Sequence, residues 1–299
     1  MPDHFTLVET APGVHAAVAG SSGAAVGNAV IIDTGAKTVV VDTFMTAQAA
    51  EELRTAVTDL TGRSAFLAVN THWHADHTRG NQVFADVPIA STRMTVELIV
   101  ANAPTDFIAY EDEIDGYLAT LREKLESEDP GQRALAERRI AGLEQLKVSI
   151  PGFSLTLPSL LIDDRLVVAG ERDLEILTYG GGHTNSDTFV WIPSERLVVA
   201  GDLCWTRIHP RIHDGHPANW ADILDRMLKL DPAIVISGHG IPDGPEVPAA
   251  LVPYFRAVDA MVEQVRAGAD PAGLLVPEGS EEWDGPERLW DGIKQLAGR

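Results

Sequence analysis

A short run of histidines and aspartates could bind metal ions. Residues 71–77 read THWHADH, so four potential ligands fall within six positions. These ligands are His72, His74, Asp76 and His77. Three more candidates, each preceded by a glycine, are His183, Asp202 and His239. Imidazole and carboxylate ligands without thiolates suit zinc, and also iron or manganese. Seven such groups are too many for one tetrahedral ion but suffice for two ions if one carboxylate bridges them.

Short apolar strands are expected to position these groups. The patterns predict strands over residues 65–69, 174–178, 197–200 and 233–237, which end shortly before His72, His183, Asp202 and His239. Loops that follow strand ends are held by a rigid sheet and commonly carry functional groups. In extended backbone, residues i and i+2 point the same way, so His72 and His74 can face one ion. We therefore expect the seven groups to share one pocket.

The remaining patterns indicate a layered α/β protein that forms a single domain over residues 1–299. Further strands are predicted over residues 14–19, 29–33, 38–42, 87–90, 166–169 and 188–192, and helices over residues 47–60 and 220–228. Residues 246–299 are predicted to contain two amphipathic helices. Residues 105–147 have apolar side chains at helical spacing and a turn signal at 129–131, which predicts an inserted helical hairpin. Such an insertion could cover a pocket or supply an apolar wall.

The composition excludes several classes of partner. The chain has 44 acidic and 23 basic residues, and its net charge of -21 disfavours binding to nucleic acid or to an anionic membrane surface. No secretory signal is visible, and no apolar stretch approaches the roughly 20 residues of a membrane span. We therefore expect a cytoplasmic protein that binds a small molecule, and a homodimer is compatible with this pattern. The single cysteine, Cys204, excludes an intramolecular disulfide and is expected to be buried.

These motifs resemble those of the metallo-β-lactamase superfamily of hydrolases, from about Val14 to Pro242. The matching pieces occur in the family's order and at compatible spacings. They are Asp42 at a strand end, the run from His72 to His77, Gly182-His183-Thr184, Gly201-Asp202 and Gly238-His239-Gly240. The resemblance implies an αββα sandwich of four layers, with the helical hairpin as an insertion.

The resemblance also implies a ligand set for two Zn²⁺ ions. His72, His74 and His183 would hold the first ion, whereas Asp76, His77 and His239 would hold the second. Asp202 would bridge the two ions. Asp76 would also orient a metal-bridging hydroxide and could relay a proton during attack on a carbonyl. Asp42 and Thr184 would fix histidine tautomers, although a plain strand-end or turn role is equally compatible with their positions.

Asp202 bears on the reaction. True β-lactamases of the superfamily usually carry cysteine or serine at this position, whereas a complete set with aspartate is more similar to lactonases, thioesterases and glyoxalase-II-type enzymes. A small ester, lactone or thioester is therefore the preferred substrate, with β-lactam hydrolysis as the alternative. A di-iron redox enzyme is a further alternative, but such relatives commonly have glutamate where this chain has His74. The last alternative is a non-catalytic binding protein on the same fold.

A polar segment at 207–216 is expected at the mouth of the pocket. It contains Arg207, His209, Arg211 and His213, which could receive a carboxylate of the substrate. A solvated polar loop is the competing interpretation of the same residues.

Overall fold

Two mixed β-sheets, stacked face to face, organise the computed structural model, which describes residues 2–20, 23–104, 107–128 and 130–299. The first sheet contains, in spatial order, β1 (Phe5–Ala11), β2 (Val14–Ala19), β3 (Ala29–Asp33), β4 (Thr38–Val41), β5 (Leu67–Val69), β6 (Ile89–Thr92) and β7 (Leu160–Ile162). The second sheet contains β8 (Arg165–Val168), β9 (Leu174–Gly180), β10 (Asp187–Ile192), β11 (Leu197–Trp205) and β12 (Ile234–His239).

Parallel pairing brings several strand ends to one edge of each sheet. Strands β4, β5, β6 and β7 pair in parallel, and Val41 lies opposite Val69, which itself lies opposite Ala90. In the second sheet β11 and β12 are also parallel, whereas β8 to β11 pair antiparallel. The loops after β4, β5, β11 and β12 can therefore converge on one region.

Helices surround the two sheets, and some of them cover the outer faces. They are α1 (Ala47–Thr61), α2 (Ala75–Thr78), α3 (Arg93–Asn102), α4 (Phe107–Glu123), α5 (Pro130–Ser149), α6 (Pro217–Leu228), α7 (Glu246–Arg266) and α8 (Pro286–Ala297). Helix α1 illustrates the local signals: the Thr46 hydroxyl accepts a hydrogen bond from the Ala49 amide at its start, and Gly62 ends it with a φ of 67°. The expected helix at 47–60 is confirmed.

Three apolar layers hold the sandwich together. The central layer joins inward side chains of both sheets, such as Val30 and Ile32 with Ile176 and Ile236. One outer layer packs α1 on the first sheet, and the other packs α6, α7 and α8 on the second sheet. This is the predicted αββα arrangement. The C-terminal helices belong to the second outer layer, because Phe255 and Ile293 are fully buried in it.

The predicted helical hairpin consists of α4 and α5. Its own small core contains Ile114, Leu118 and Leu146, with Met45 from the body of the protein packed against it. Helix α5 also approaches the loop between β2 and β3, where Gly142 and Gly23 are neighbours. Residues 105 and 106, at which the predicted insertion begins, lie outside the described residues.

Some elements differ from the sequence-based expectation. Strands β1 and β7 and helix α3 were not predicted. Strand β11 continues past Ala200 to Trp205, because irregular parallel pairing with β12 extends as far as Trp205 opposite His239. Asp202 therefore lies within the end of a strand and not on a loop after it. Among the helices that the structure describes, none has the length and apolar character needed to cross a membrane.

Candidate metal centre

The seven predicted ligand residues converge at the edge where the parallel strands end. One group of side chains has its ligand atoms within 4.8 Å of one another, and it contains His72, His74, His183 and Asp202. A second such group contains Asp76, His77 and His239. The rings of His72 and His77 join the two groups, because their centroids lie 4.4 Å apart. Two adjacent candidate metal sites result.

Asp202 lies between the two groups. Its Oδ2 atom is 3.2 Å from His183 Nε2 and 3.4 Å from His239 Nε2, and its Oδ1 atom is 3.2 Å from His77 Nε2. Asp202 thus touches histidines of both groups, as a bridging carboxylate must. Its side chain is only 2% exposed, whereas that of Asp76 is 17% exposed.

Backbone geometry fixes the ligands of the first sheet. His72 and His74 follow β5 on a bent segment, and the chain then turns into α2, where the His77 amide donates to the His74 carbonyl over 3.1 Å. The turn reverses the direction of the side chains, so Asp76 and His77 face the second group. His72 and His74 fall in one group, as expected, although the backbone at residues 71–73 is bent and the predicted extended conformation is wrong.

Close approach of β11 and β12 fixes Asp202 beside His239. A Cβ atom built on Gly238 would overlap Asp202 Oδ1 and would lie 2.7 Å from the carbonyl carbon of Gly201. Only glycine leaves room at this position. The glycine that precedes His239 in the sequence therefore leaves room for the Asp202 carboxylate of the neighbouring strand.

Hydrogen bonds select the tautomers of two histidines. Asp42 accepts from His77 Nδ1 over 2.8 Å and from the Thr71 hydroxyl over 2.8 Å, and Thr71 Oγ1 lies 3.0 Å from His72 Nδ1. The Nδ1 atoms are thereby occupied, so the Nε2 atoms of both histidines carry the free lone pairs. Asp42 thus has the predicted position behind a histidine ligand.

Buried ligand atoms in the pocket fit a divalent metal. Within the described part of the chain, His72 Nε2, His77 Nε2 and Asp202 Oδ1 are buried and make no hydrogen bond. Buried polar atoms normally have partners, because desolvation without compensation is costly. Nitrogen and carboxylate oxygen atoms in this number suit zinc, iron or manganese.

His74 has a partner that the sequence did not indicate. Its Nδ1 atom lies 3.0 Å from His183 Nε2, inside the first group, whereas its Nε2 atom lies 3.1 Å from Asp214 Oδ2. The same Asp214 oxygen is 3.0 Å from His213 Nε2, and the rings of His74 and His213 stack with an interplanar angle of 14°. Asp214 therefore favours binding of a metal through His74 Nδ1.

A compact turn holds His183. Asp187 accepts hydrogen bonds from the amides of Gly182 and Thr184, over 2.7 Å and 3.1 Å, and from the Thr184 hydroxyl over 2.9 Å. Burial raises the pKa of Asp187 to about 7, although these donors oppose the rise. Thr184 therefore stabilises the turn, which was one of the two roles expected for it. The residues that bind the rings of histidine ligands are Asp42 and Asp214.

Two tryptophans form walls of the centre. The Trp205 ring stacks on His239 with centroids 3.9 Å apart, and its Nε1 donates to the Asp202 carbonyl over 3.1 Å. The Trp220 ring meets His183 edge to face at 5.1 Å. These aromatic contacts restrict the rotation of both histidines. Neither tryptophan was predicted at the site, because nothing in their local sequence distinguishes them from core residues.

The charges of the centre favour ionised carboxylates. Burial acts to raise the pKa of Asp202, but His239, His77 and His183 lower it well below its usual value. Burial also acts to raise the pKa of Asp76, but His77 and His239 lower it well below the ordinary range. Conversely, burial lowers the pKa of His183 to about 4, which keeps this ring neutral and able to bind a cation.

The four predicted substrate residues separate in the structure. His209 is buried, its Nδ1 lies 3.0 Å from the Tyr254 hydroxyl, and its ring contacts Trp283. Its predicted place at the pocket mouth is wrong, because its amide bonds to the Asp284 carbonyl and turns the segment onto the C-terminal layer. Arg207 and Arg211 are exposed, and no ion pair among the described residues joins either one to the ligand set. His213 alone lies beside a ligand, at His74.

Asn28 is another residue that the sequence did not indicate. Its amide nitrogen Nδ2 donates to the carbonyls of Ser237 and Gly240, over 2.9 Å and 2.8 Å, and so ties the first sheet to the segment that carries His239. A lone asparagine after Gly27 carries no sequence signal for such a role.

Known proteins share this architecture. The family model of the metallo-β-lactamase superfamily matches residues 22–239, which is most of the chain and includes every candidate ligand. The chain belongs to this superfamily. Metallo-β-lactamase superfamily proteins are mostly hydrolytic, which supports a metal-dependent hydrolase. No curated protein sequence matches the chain.

Solved structures of superfamily members have the same fold. A metallo-β-lactamase from Pontibacter korlensis is 17% identical with a TM-score of 0.60, and the match covers 84% of this chain and 99% of that chain. DIM-1 metallo-β-lactamase is 16% identical with a TM-score of 0.60, covering 85% and 98% of the two chains. TMB-1 is 15% identical with a TM-score of 0.59, covering 87% and 100%. These superfamily likenesses concern the fold.

Proposed function

We propose that the protein is a hydrolase with two metal ions that cleaves a carboxylic ester, lactone or thioester of modest size. The observation that carries this proposal is the position of Asp202 between two histidine-rich groups. A carboxylate in contact with both groups suits a binuclear centre better than two independent sites. Zinc is the preferred metal, and iron or manganese would suit the same ligands.

The hydrogen bonds around the ligands suggest which atoms would hold each ion. The first ion would be held by His72 Nε2, His74 Nδ1 and His183 Nε2, because these atoms face one another. The second ion would be held by Asp76, His77 Nε2 and His239 Nε2. Asp202 would contribute one oxygen atom to each ion.

Bound divalent ions would supply Lewis acidity for a substrate carbonyl and would lower the pKa of a water molecule. Asp76 is the ionised carboxylate of the centre that solvent can reach, so it could orient that water and accept its proton. Asp202 is too deeply buried for this task. The stacked ring of Trp205 and the edge of Trp220 would exclude water from the side of the second sheet.

The preferred bond is an ester or thioester because Asp202 occupies a position at which true β-lactamases usually have cysteine or serine. The similarity of fold to three metallo-β-lactamases keeps β-lactam hydrolysis as the second candidate. The acidic surface, with a net charge of -21, argues against polyanionic substrates such as nucleic acid.

A reconstitution experiment tests the proposed function. The metal-free protein would be loaded with zinc, its metal content measured, and its turnover determined with p-nitrophenyl acetate, an acyl thioester, a γ-lactone and a chromogenic cephalosporin. We expect two zinc ions per chain and chelator-sensitive turnover of at least one acyl ester. Faster turnover of the cephalosporin than of any ester would reverse the preferred bond, and failure to take up stoichiometric metal would overturn the proposal.

A further inference from the structure

A cavity lies directly behind the loop that carries the candidate ligands. It has a volume of about 100 Å³ and opens to solvent. Trp73 and Ala75, which line it, alternate in the sequence with His72, His74 and Asp76. The Trp73 ring also meets the His74 ring at a centroid distance of 4.4 Å. The loop that carries His72, His74 and Asp76 therefore also contributes part of the cavity wall.

The two ends of the helical insertion form the opposite walls. The chain leaves the body of the protein along α3, which contributes Ile99 to the lining, and through Pro104 just beyond the helix, and it returns through Phe153 and Leu155. These side chains are apolar, and the apolar character of the lining continues across the ligand loop. The insertion therefore encloses a space that the two sheets alone would leave open.

One wall contains a buried cation in contact with an aromatic ring. The guanidinium carbon of Arg79 lies 4.6 Å from the centre of the Phe153 ring, and Arg79 is only 8% exposed. Stacking of this kind covers the planar face of the guanidinium group and holds Phe153 in place. The arginine thus stabilises the aromatic wall. Thr78, Asn102 and Thr156 add polar atoms to the lining, but most of its surface is apolar.

We propose that this cavity binds the apolar acyl chain of the substrate, a proposal that rests on the hydrolase function above. An apolar cavity of about 150 Å³ is known to hold benzene, so the smaller space here suits a chain of roughly four carbon atoms beyond the carbonyl. An acyl chain that runs past the small side chain of Ala75 would extend from the candidate metal centre into the cavity. The protein therefore prefers short to medium linear acyl groups over acetyl groups.

A chain-length series tests this preference with the zinc-loaded protein. Burial of one methylene group improves transition-state binding about fourfold. We therefore expect kcat/KM for p-nitrophenyl esters to rise on the order of 100-fold from acetate to hexanoate and to level off at octanoate. Equal kcat/KM values across the series would overturn the proposal.

Matched variants of one helix locate the effect. Ile99 is buried against the cavity, whereas the adjacent Val100 is 52% exposed. We expect I99F to remove most of the preference for hexanoate over acetate, and V100F to leave the whole series unchanged. Because I99F could impair folding, L155D provides a second test: Leu155 is 44% exposed, and a carboxylate at its position should repel the chain. An unchanged series in both I99F and L155D would overturn the assignment.

A binding measurement that does not depend on turnover tests the cavity separately from the proposed hydrolase function. Hexanamide is not cleaved readily and can be followed by saturation-transfer NMR whether or not the protein turns over any ester. We expect saturation transfer to hexanamide with the wild-type protein and V100F and its loss in I99F. No transfer with the wild-type protein would overturn the cavity assignment, whereas transfer without any ester turnover would support the cavity and reject the hydrolase.

Discussion

Asp76 combines two properties that Asp202 does not combine. It lies 3.3 Å from His239 Nε2 and 3.5 Å from His77 Nε2, and its side chain is partly open to solvent. Contact with both histidines favours the ionised form, and exposure permits contact with a substrate or a water molecule. Asp202 has the first property without the second, which suggests a division between a reactive carboxylate and a structural one.

Replacement of Asp76 by asparagine tests its proposed role. We expect D76N to fold, to retain at least the first metal ion and to lose about 10²-fold to 10⁴-fold in kcat, because a positioned general base typically contributes this much. Turnover and zinc content would be measured on the same sample. The exposed Asp291 of α8 provides the control variant D291N, which should keep full turnover. Full activity in D76N would remove the role from Asp76.

Asp214 offers a second prediction at the level of one residue. Burial acts to raise the pKa of Asp214, yet hydrogen bonds from His213 and His74 hold this pKa below its usual range. Loss of a carboxylate behind a metal-binding histidine typically costs 10-fold to 100-fold in metal affinity. We expect D214A to weaken zinc binding by about this factor and D214N, which keeps an acceptor oxygen, to weaken it less.

Competition with a chromophoric chelator measures these affinities, and D291A provides the reference. Identical zinc affinities in D214A and D291A would show that Asp214 does not support His74.

The ligand residues could be predicted individually, whereas their supporting residues could not. The run from His72 to His77 has a spacing that a packed core does not require, so its chemistry is visible locally. Contacts with distant parts of the chain determine the roles of Asp214, Trp205 and Asn28. In the sequence, His209 cannot be distinguished from the other polar residues of its loop, but in the structure it lies against Tyr254. Side-chain direction within a polar loop depends on tertiary packing, which local patterns do not encode.

At the level of elements, Gly238 near the end of β12 connects the packing of the strands to the candidate metal centre. Any side chain at position 238 would overlap Asp202. Strands β11 and β12 are already tightly paired, with Val199 opposite Ile236 and Gly201 opposite Ser237, so neither strand can move away easily. The Asp202 carboxylate would have to rotate instead.

The variant G238A should therefore lose metal affinity at both sites and about 1 to 3 kcal/mol of unfolding free energy, the usual cost of overpacking. Denaturant unfolding and zinc titration would measure the two effects. The helical Gly116 of α4 has open space around its Cα, so the control G116A should gain about 0.5 to 1 kcal/mol. Normal zinc binding by G238A would contradict the overlap argument.

The success of the sequence patterns varied with the burial of each element. Strands β2 and β3 have the predicted bounds, since their apolar runs reflect burial on the sheet. Strand β1 was missed because only Phe5 of its seven residues is buried, which leaves no alternation to detect. Helix α3 was missed because RMTVELIVAN contains β-branched residues that are equally typical of a strand, and its Thr92 cap decided the conformation.

At the level of the whole molecule, an acidic protein surrounds a centre whose side chains suit cations. The excess acidic residues, with a net charge of -21, repel one another. The centre adds the buried Asp202 carboxylate and the partly exposed Asp76 carboxylate, together with histidine nitrogens that lack hydrogen bonds. Two divalent ions would add four positive charges at the point where the two sheets meet. Metal binding should therefore contribute to folding stability as well as to turnover.

Removal of metal provides a test at this level. A ligand that binds only the folded state at 1,000 times its dissociation constant stabilises a protein by about 4 kcal/mol. We expect a chelator to lower the Tm of the zinc-loaded protein by on the order of 10 °C, as followed by calorimetry, and added zinc to restore it. Equal Tm values with and without zinc would mean that the folded and unfolded chains bind metal equally well.

The sharing of ligands between the two sheets has a consequence for the fate of the protein. Asp76 and His77 lie in α2, which follows the first sheet, whereas Asp202 and His239 belong to the second sheet and His183 to a turn of that sheet. Under the proposed function, each ion would therefore act as a removable cross-link between halves that are far apart in the chain. When zinc is scarce, the two halves would separate more often and offer cleavage sites to proteases. The abundance of the protein would then follow the supply of metal.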